Sequence, residues 1–398
     1  MPKDNILYLS YTGMLEPLGR SQVLAYLSRL SCQYDITLIS YEKRNDFLNA
    51  SAMKKMREEC EGYNINWKPF RYHHRPRLLA TAWDITLMLV QILFFVLKPG
   101  KSKIIHCRGY VTSVGAWLIS RILPTKFIFD MRALWLEEMI EARSLVRDSF
   151  LHNILQWLEM RMIRDASAVV SLTHAAVEHL KSIYPESREQ FFSVIPTCVD
   201  FKRFSNVQPK RSSHLTVGVM GTILSGWYHA DWLFKLFGII CESHPDARLK
   251  IVSRDNHAKL IALAHGAGVR PASLVMDKGN PAEVPQKISD INFAVLFFTS
   301  GLSKLGSSPT RMAEFLALGI PILGNSGVGD MADIINRYRV GVVVDDGSED
   351  SLRACLLNIA SLLSDNDLQT RCHYAANDYF SVENGAESYR NIYRKIIN

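Results

Sequence analysis

The sequence predicts an α/β fold in which two doubly wound domains face one another across a cleft. Short apolar segments of strand length alternate with helical patterns along the chain, which is typical of parallel sheets with crossover helices. This series of strands and helices occurs twice. In addition, a chain of 398 residues exceeds what one hydrophobic core usually supports and suits two domains of roughly 150 to 200 residues each.

The candidate strands fall into two series, one in each half of the chain. In the first half they cover residues 5–10, 35–41, 65–72, 103–107, 126–131, 168–172 and 192–195. In the second half they cover residues 215–221, 248–253, 273–278, 291–298, 321–324 and 340–344. The segments between the strands have apolar residues at helical spacing, so each strand is expected to be followed by a helix.

The domain boundaries follow from the seam between the two series. Residues 199–215 contain several polar side chains and few large apolar ones, which is typical of a linker. We therefore predict a first domain at residues 1–205, a second domain at residues 206–380, and a C-terminal helix at residues 381–398 that packs back across the seam.

Composition limits the class of protein. With 48% hydrophobic and 21% charged residues, the chain is typical of a soluble globular protein. Seven cysteines, an odd number without a CxxC pair, favour reduced thiols in the cytoplasm over a disulfide framework or a zinc site. The N-terminal residues MPKDNIL contain no apolar segment of signal-peptide length, so we expect no export.

The positive charge is concentrated in the first half of the chain. Residues 1–205 contain 27 Lys and Arg against 20 Asp and Glu, whereas residues 206–398 contain 19 of each. A basic first domain indicates an anionic partner, either an anionic membrane surface or an anionic acceptor. Nucleic acid is disfavoured, because residues 71–77 form the one basic cluster with interleaved aromatic residues.

The longest apolar run covers residues 85–97 and is interrupted by Thr86 and Gln91. Its thirteen residues fall short of the about 20 that a bilayer-spanning helix needs. We expect either a buried helix or a helix at a membrane interface, and the length favours the buried helix.

A polar loop follows the first predicted strand. Gly19 stands just before a helix, where a residue without a side chain allows a phosphate to approach the free backbone N–H groups. Arg20 adds positive charge beside it. An ordinary glycine-containing turn is the alternative interpretation.

Charged residues also end two later strands of the first half. His106 and Arg108 alternate onto the same side of their strand, so both are candidates to reach the cleft, with a structural histidine as the alternative. Asp130 and Arg132 follow the next strand, where they either brace each other or present a guanidinium to an acceptor phosphate. These four residues are the candidate catalytic residues.

Two strands of the second half end in candidate ligand-binding residues. Gly221 and Thr222 end the first of these strands, and glycine lets the backbone approach a ligand closely. Arg254 follows the next strand, in position to contact a diphosphate.

The stretch SSPTRMAEFLALGIPILGNSGVGD, residues 307–330, predicts a helix followed by a short buried strand. Pro309 after two serines marks the start of the helix, and Gly319 ends it. Apolar residues at 312, 315, 316 and 318 have helical spacing. Glu314 is the only acid on this helix, and it is either a solvated glutamate or a ligand-binding one.

This stretch, together with VVSLTHAAVEHL, VIPTCVDFKRF and HCRGY, resembles the family 4 retaining glycosyltransferases of the GT-B fold, especially the branch with an SPTK-type segment before its helix. The resemblance is spread over nearly the whole chain. It implies that the first domain holds a carbohydrate or lipid-linked acceptor and the second a nucleotide-sugar donor. It also implies transfer of the sugar to a hydroxyl with retention, without cofactor or metal, in cell-surface polysaccharide or glycolipid synthesis.

The resemblance also assigns roles to particular residues. Glu314 matches the glutamate that binds the ribose hydroxyls of the nucleotide, and His106 and Arg108 are expected nearest the transferred sugar or the acceptor. The other donor-binding candidates are expected around the diphosphate: Gly19, Arg20, Gly221, Thr222, Arg254, Ser308, Pro309, Thr310 and Arg311.

The chain departs from the family pattern at three places, one of which is HCR at residues 106–108, where many relatives have His-x-His. The family motif has two glutamates separated by seven residues, and Gly306 occupies the earlier position. The loop at residues 225–229 lacks the usual Arg and Lys. These last two departures leave open a catalytically silent sugar-nucleotide-binding scaffold, and a nucleotide-sugar epimerase is a third alternative for which the sequence offers no evident acid and base.

Overall fold

The structure is a computed structural model of the protein and describes residues 3–100, 103–205, 207, 214–280 and 282–398. The chain divides into two compact units, the first formed by Met1–Pro196 with Val382–Asn398 and the second by Thr197–Ser381. The chain therefore enters the second unit at Thr197, whereas the sequence placed the boundary after residue 205. Residues 206 and 208–213 of the predicted linker lie outside the described residues.

The described part of the first unit contains a seven-stranded parallel sheet. Its strands are β1 (Asp4–Ser10), β2 (Tyr34–Glu42), β3 (Ile65–Arg71), β4 (Lys103–Arg108), β5 (Lys126–Asp130), β6 (Ala168–Ser171) and β7 (Phe192–Val194). They lie in the order β3-β2-β1-β4-β5-β6-β7. All of the pairs are parallel, as the alternation of strands and helices predicts.

Helices connect these strands and cover the sheet. They are α1 (Pro17–Gly19), α2 (Ala25–Leu30), α3 (Arg44–Phe47), α4 (Ala50–Gly62), α5 (Arg77–Leu97), α6 (Tyr110–Ser120), α7 (Trp135–Glu141), α8 (Phe150–Asp165) and α9 (His174–Ile183). A π-helical turn at Arg20–Leu24 joins α1 to α2. Helix α6 packs against both α5 and α8, so these three helices are neighbours.

The described part of the second unit contains a six-stranded parallel sheet. Its strands are β8 (Thr216–Met220), β9 (Arg248–Val252), β10 (Leu274–Asp277), β11 (Phe293–Leu296), β12 (Ile322–Asn325) and β13 (Gly341–Val344), in the order β10-β9-β8-β11-β12-β13. Its helices are α10 (Ala230–Ser243), α11 (His257–Gly266), α12 (Val284–Ile288), α13 (Thr310–Leu316), α14 (Met331–Tyr338), α15 (Glu349–Leu363) and α16 (Leu368–Phe380). Two apolar clusters contribute its core.

The last helix, α17 (Val382–Ile397), returns to the first unit and packs on α2 and β4. One side of α17 is buried, and its fully enclosed aromatic residues include Tyr389 and Tyr393. The helix predicted at residues 381–398 is therefore an integral part of the first unit.

The predicted fold class is confirmed, and all thirteen predicted strands are present with ends that differ by at most two residues. The favoured interpretation of residues 85–97 as a buried helix is wrong. These residues form the second part of α5, and several large apolar side chains along α5 are exposed, including Phe94 and Leu97.

Candidate functional site

The candidate site of the second unit lies at the carboxyl ends of β8 and β11. The chain runs from β8 outward to β10, and then returns to β11 on the other side of β8. Such a reversal of strand order leaves a crevice at the carboxyl ends of the two central strands, where doubly wound sheets bind ligands. The loops after β8 and β11 therefore border the candidate ligand site.

Helix α13 is held beside this crevice by its apolar residues. Met312, Phe315 and Leu316 are fully buried in the core of the second unit. Pro309 precedes the helix with φ −68°, and the Ser307 N–H donates a 3.0 Å hydrogen bond to the Lys304 carbonyl oxygen. Because the apolar side of a helix faces the core, Arg311 and Glu314 are left to approach the crevice.

Arg311 lies against the end of β8. Its guanidinium occupies the space where a side chain at Gly221 would stand, since a Cβ there would come within 2.4 Å of Arg311 Nε. The φ of Gly221, +89°, also favours glycine. Arg311 Nη1 donates a 3.3 Å hydrogen bond to the Thr222 carbonyl oxygen, and the guanidinium lies 5.6 Å from the centre of the Phe298 ring. Burial lowers the pKa of Arg311, while nearby Tyr228, Glu314 and Asp255 oppose that shift.

Glu314 forms an ion pair with Arg203, and only 13% of its side chain is exposed. Burial raises the pKa of Glu314 above its ordinary value, and the charges of Arg203 and Arg311 oppose the shift. A solvated helix glutamate would not be enclosed in this way. Glu314 is thus a nearly buried carboxylate with two guanidinium groups close to it.

The segment that begins the second unit packs on the same stretch. The Thr197 N–H donates a 3.2 Å hydrogen bond to Ser308 Oγ, and the Thr197 hydroxyl donates to the Ser308 carbonyl oxygen. Together with the pair of Arg203 and Glu314, these contacts bring VIPTCVDFKRF and the start of SSPTRMAEF into contact. The two segments are about 110 residues apart in sequence, so neither alone reveals the other as its partner.

Lys304 is a residue of this region that the sequence analysis missed. It is 4% exposed, its Nζ lies 3.6 Å from the centre of the Trp227 ring, and it donates a 2.8 Å hydrogen bond to Ser303 Oγ. Trp227 belongs to the loop after β8, in which the resemblance led us to expect an Arg and a Lys. The sequence did contain a signal for Lys304. Because the loop at residues 225–229 has no Arg or Lys, another basic residue of the second unit was to be expected near it.

The other predicted donor-binding residues are placed less centrally. Arg254 is exposed and donates a 3.1 Å hydrogen bond to Asn280 Oδ1 on the neighbouring loop. Gly19 and Arg20 belong to the first unit. A Cβ at Gly19 would lie 2.3 Å from the Gly13 carbonyl oxygen, so its own loop fills that space, and Arg20 forms an ion pair with Glu59.

In the first unit, His106 and Asp130 are completely buried in one hydrogen-bonded network. His106 Nε2 lies 3.3 Å from Asp130 Oδ2, and His106 Nδ1 lies 2.6 Å from the Tyr393 hydroxyl. Tyr389 donates a 2.9 Å hydrogen bond to Asp130, and Arg132 donates one of 3.2 Å. This geometry favours the structural alternative for His106 and the bracing alternative for Asp130.

The charges of the network explain its pKa shifts. Burial lowers the pKa of His106, although Asp130 opposes the shift. Burial alone would raise the pKa of Asp130, but Arg132, His106 and Arg108 hold it below its ordinary value. The network therefore keeps an ionised carboxylate and a neutral imidazole inside the first unit.

Arg108 and Arg132 retain hydrogen-bonding capacity that the network does not use. Arg108 Nη1 and Arg132 Nε and Nη2 are buried and have no hydrogen-bond partner among the described residues. Both guanidinium groups act on the pKa of Tyr8 and of Asp130, so they lie near each other at the ends of β4 and β5. Two arginines beside one carboxylate leave a local excess of positive charge.

Within the described ranges of the chain, no group of three or more His, Cys, Asp and Glu is arranged to hold a metal ion.

Comparisons with known proteins agree with this architecture. Residues 23–192 match the family profile described as Glycosyl transferase 4-like domain. No curated protein sequence matches the chain significantly. The matched residues all lie within the first unit.

Solved structures show the fold of the whole chain. A glycosyltransferase from Rickettsia africae ESF-5 aligns with 100% of this chain and 99% of its own, at 12% identity and a TM-score of 0.74. Sucrose-phosphate synthase from Thermosynechococcus elongatus aligns over 99% of both chains, at 12% identity and a TM-score of 0.69. Anabaena HepE, solved in complex with UDP and glucose, aligns with 98% of this chain and 99% of its own, at 13% identity and a TM-score of 0.62. The chain has the GT-B fold.

Proposed function

We propose that the protein is a retaining glycosyltransferase that moves a hexosyl or N-acetylhexosaminyl group from a nucleoside-diphosphate sugar to an acceptor hydroxyl. In this reaction the bond between the anomeric carbon and the diphosphate breaks, a bond to the acceptor oxygen forms, and the hydroxyl proton is released. The first unit binds the acceptor and the second the donor. The enclosed carboxylate of Glu314 beside Arg311, at the strand-order reversal of the second sheet, carries this proposal.

The donor fits the chemistry of the second unit. An ionised carboxylate accepts hydrogen bonds from both hydroxyls of a ribose, which is the role proposed for Glu314. Arg311 and Lys304 supply positive charge where a diphosphate would develop charge as it leaves. Anabaena HepE, which has the same fold, has been solved with UDP and with UDP-glucose, which supports a nucleotide-sugar donor.

The acceptor in this proposal is anionic and is a carbohydrate or a lipid-linked saccharide. The unused N–H groups of Arg108 and Arg132 are suited to a phosphate or carboxylate of the acceptor. The protein acts in cell-surface polysaccharide or glycolipid synthesis, in the cytoplasm and as a peripheral protein at the inner face of the membrane. Exposed Arg71 and Arg75 are basic contacts for such a surface, whereas the side chain of Arg77 lies outside the described residues.

The test of the donor site is calorimetric titration of UDP, GDP and ADP into the wild-type protein, Glu314→Ala and Glu314→Gln. Hydrogen bonds to a charged group contribute roughly 1.5 to 3 kcal/mol each, so Glu314→Ala should weaken binding of the preferred nucleotide by at least about tenfold. Glu314→Gln retains one accepting oxygen and should fall between the two.

The matched control is Glu349→Ala, which removes an exposed glutamate that also pairs with an arginine. It should leave nucleotide affinity unchanged. If Glu314 serves only as a structural partner of Arg203, Glu314→Ala will lower the free energy of unfolding and leave the affinity at the wild-type value, which contradicts the ribose assignment.

Metal independence forms part of the same proposal. Because Arg311 and Lys304 would neutralise the diphosphate, we expect nucleotide binding and sugar transfer to persist in excess EDTA. The measurement is release of nucleoside diphosphate from the donor, with and without acceptor. Activity that disappears with EDTA and returns with Mn²⁺ or Mg²⁺ would contradict this scheme.

A second candidate is a catalytically silent sugar-nucleotide-binding scaffold. It is favoured by Gly306, which is buried where the family motif has its first glutamate. Binding of a nucleotide-sugar without any turnover, across acceptors that include a lipid-linked saccharide, would support the scaffold against the transferase.

A further inference from the structure

Helix α5 combines high hydropathy with low burial. Its residues 79–97 have a mean hydropathy of 1.9, yet only 22% of this segment is buried. Among the described helices it is the one that is long and apolar enough to cross a membrane. A core helix of this composition would be mostly buried, so the exposed apolar surface of α5 needs a different explanation.

The large apolar side chains that are exposed on α5 form one stripe. At 100° per residue, their positions fall within an arc of roughly 100° along the helix. The stripe consists of Leu79, Trp83, Val90, Leu93, Phe94 and Leu97. It contains no charged residue.

The opposite side of α5 is anchored in the first unit. The buried Asp84 carboxylate accepts a 2.9 Å hydrogen bond from the Tyr11 hydroxyl and a 3.1 Å bond from the His73 N–H. The Tyr41 hydroxyl donates a 3.0 Å bond to the Asp84 carbonyl oxygen. Met88 packs on Gly115 of α6, where a Cβ would lie 3.3 Å from its sulfur. These contacts hold α5 along the folded unit and are incompatible with a spanning orientation.

The apolar surface continues onto the neighbouring helices α6 and α8. Phe150, Ile154 and Trp157 of α8 follow one another at helical spacing and are exposed, with Phe150 at 82%. Leu151 beside them is also exposed, as are Leu118 of α6 and Ile122 just after it. The apolar face is defined by these six residues together with the α5 stripe.

The exposed charged residues of α8 and of the residues just after α6 are basic. Arg121 and Arg164 are exposed, and Arg161 lies 5.4 Å from the centre of the Trp157 ring. The acids of α5, α6 and α8 are not exposed: Asp84 and Glu159 are buried, and Asp165 pairs with Arg164 and Arg121. A dimer formed through this face would place these arginines against the same arginines of the second copy. A surface that has anionic groups above an apolar layer is complementary to both the arginines and the apolar face.

We propose that the apolar face of α5, α6 and α8 rests on the surface of an anionic lipid bilayer. The apolar side chains enter the boundary between headgroups and acyl chains, the two tryptophans lie at that boundary, and the arginines contact lipid phosphates. This proposal rests on the membrane contact of the proposed function and identifies the part of the protein that makes it. It does not depend on which donor the second unit binds.

The test uses vesicles of phosphatidylcholine with and without phosphatidylglycerol, and measures co-sedimentation of the full-length protein. The variant Phe94→Gln/Leu97→Gln/Phe150→Gln changes three strongly exposed side chains and should weaken binding to the anionic vesicles by at least about tenfold. The matched control, Leu263→Gln/Leu357→Gln/Tyr374→Gln, changes three exposed apolar residues of the second unit and should bind like wild type. Arg71→Glu/Arg75→Glu, which reverses two basic contacts outside the apolar face, should weaken binding less than the apolar-face variant does.

Titration of UDP into the same variants separates this proposal from the donor site, since the apolar face should not affect nucleotide affinity. Equal vesicle binding by wild type and the apolar-face variant would overturn the proposal, and so would absence of binding by the wild type. Equal binding to neutral and anionic vesicles would overturn the anionic assignment. The wild type could instead self-associate without binding vesicles. If the apolar-face variant loses this self-association and the control variant keeps it, the partner is a second copy of the chain.

Discussion

Glu159 shows how a single buried carboxylate gains an unusual proton affinity. It lies in the interior of the first unit, where the hydroxyls of Tyr110 and Tyr184 donate hydrogen bonds of 2.6 and 2.5 Å to its two oxygens. Burial raises the pKa of Glu159 to about 7, the two tyrosine bonds oppose the shift, and the charge of Glu137 adds to it. The folded protein therefore binds this proton more tightly than the unfolded chain does.

This difference predicts a pH dependence of stability. The ordinary pKa is 4.5, so the stabilisation from Glu159 is complete below about pH 4.5 and is lost as the pH rises through about 7. Relative to Glu159→Gln, which does not titrate, the free energy of unfolding of the wild type should fall by up to about 3 kcal/mol over this range. Urea unfolding of both proteins at several pH values measures the difference.

The control for this experiment is Glu349→Gln, because Glu349 is an exposed helix residue with 59% of its side chain accessible. Replacement of this exposed residue should change the free energy of unfolding by no more than about 0.5 kcal/mol at each pH. A constant difference between wild type and Glu159→Gln across the same range would show that burial does not control this proton.

At the scale of elements, the sheets were predictable because their signal is local. A short apolar run bounded by turn residues needs only its own sequence, and all thirteen strands appear where such runs occur. The start of α13 was predictable for the same reason, since Pro309 and the buried residues after it form a local pattern. The position of Glu314 beside the crevice followed from that helix.

Contacts between distant segments were not predictable in this way. The pairing of Glu314 with Arg203 and the stacking of Lys304 on Trp227 join separate segments, so no periodicity or spacing announces them. Helix α5 was misjudged because length and hydropathy do not tell whether an apolar side meets a core or remains exposed. The enclosure of His106 was not predictable from the sequence, because the tyrosines that enclose it come from α17, nearly 290 residues later.

At the scale of the molecule, the net positive charge and the exposed large apolar side chains are both concentrated in the first unit. Its residues include 28 Lys and Arg against 21 Asp and Glu, whereas the second unit has 18 of each. The apolar face also lies on the first unit. This asymmetry supports the proposed roles, in which the first unit meets an anionic, lipid-associated acceptor and the second binds a nucleotide donor.

The two units should accordingly respond to different changes. Tyr393→Phe removes the hydroxyl that bonds the buried His106, which costs about 1 to 3 kcal/mol in the first unit. In differential scanning calorimetry, this variant should lower the unfolding temperature of the first unit by a few degrees. UDP should still raise the unfolding temperature of the second unit as much as in wild type, because the proposed donor site lies in that unit. Tyr374→Phe, at an exposed tyrosine of the second unit, is the control and should change neither. If Tyr393→Phe instead abolished the response to UDP, the network around His106 would take part in donor binding, and the assignment of separate roles to the two units would be wrong.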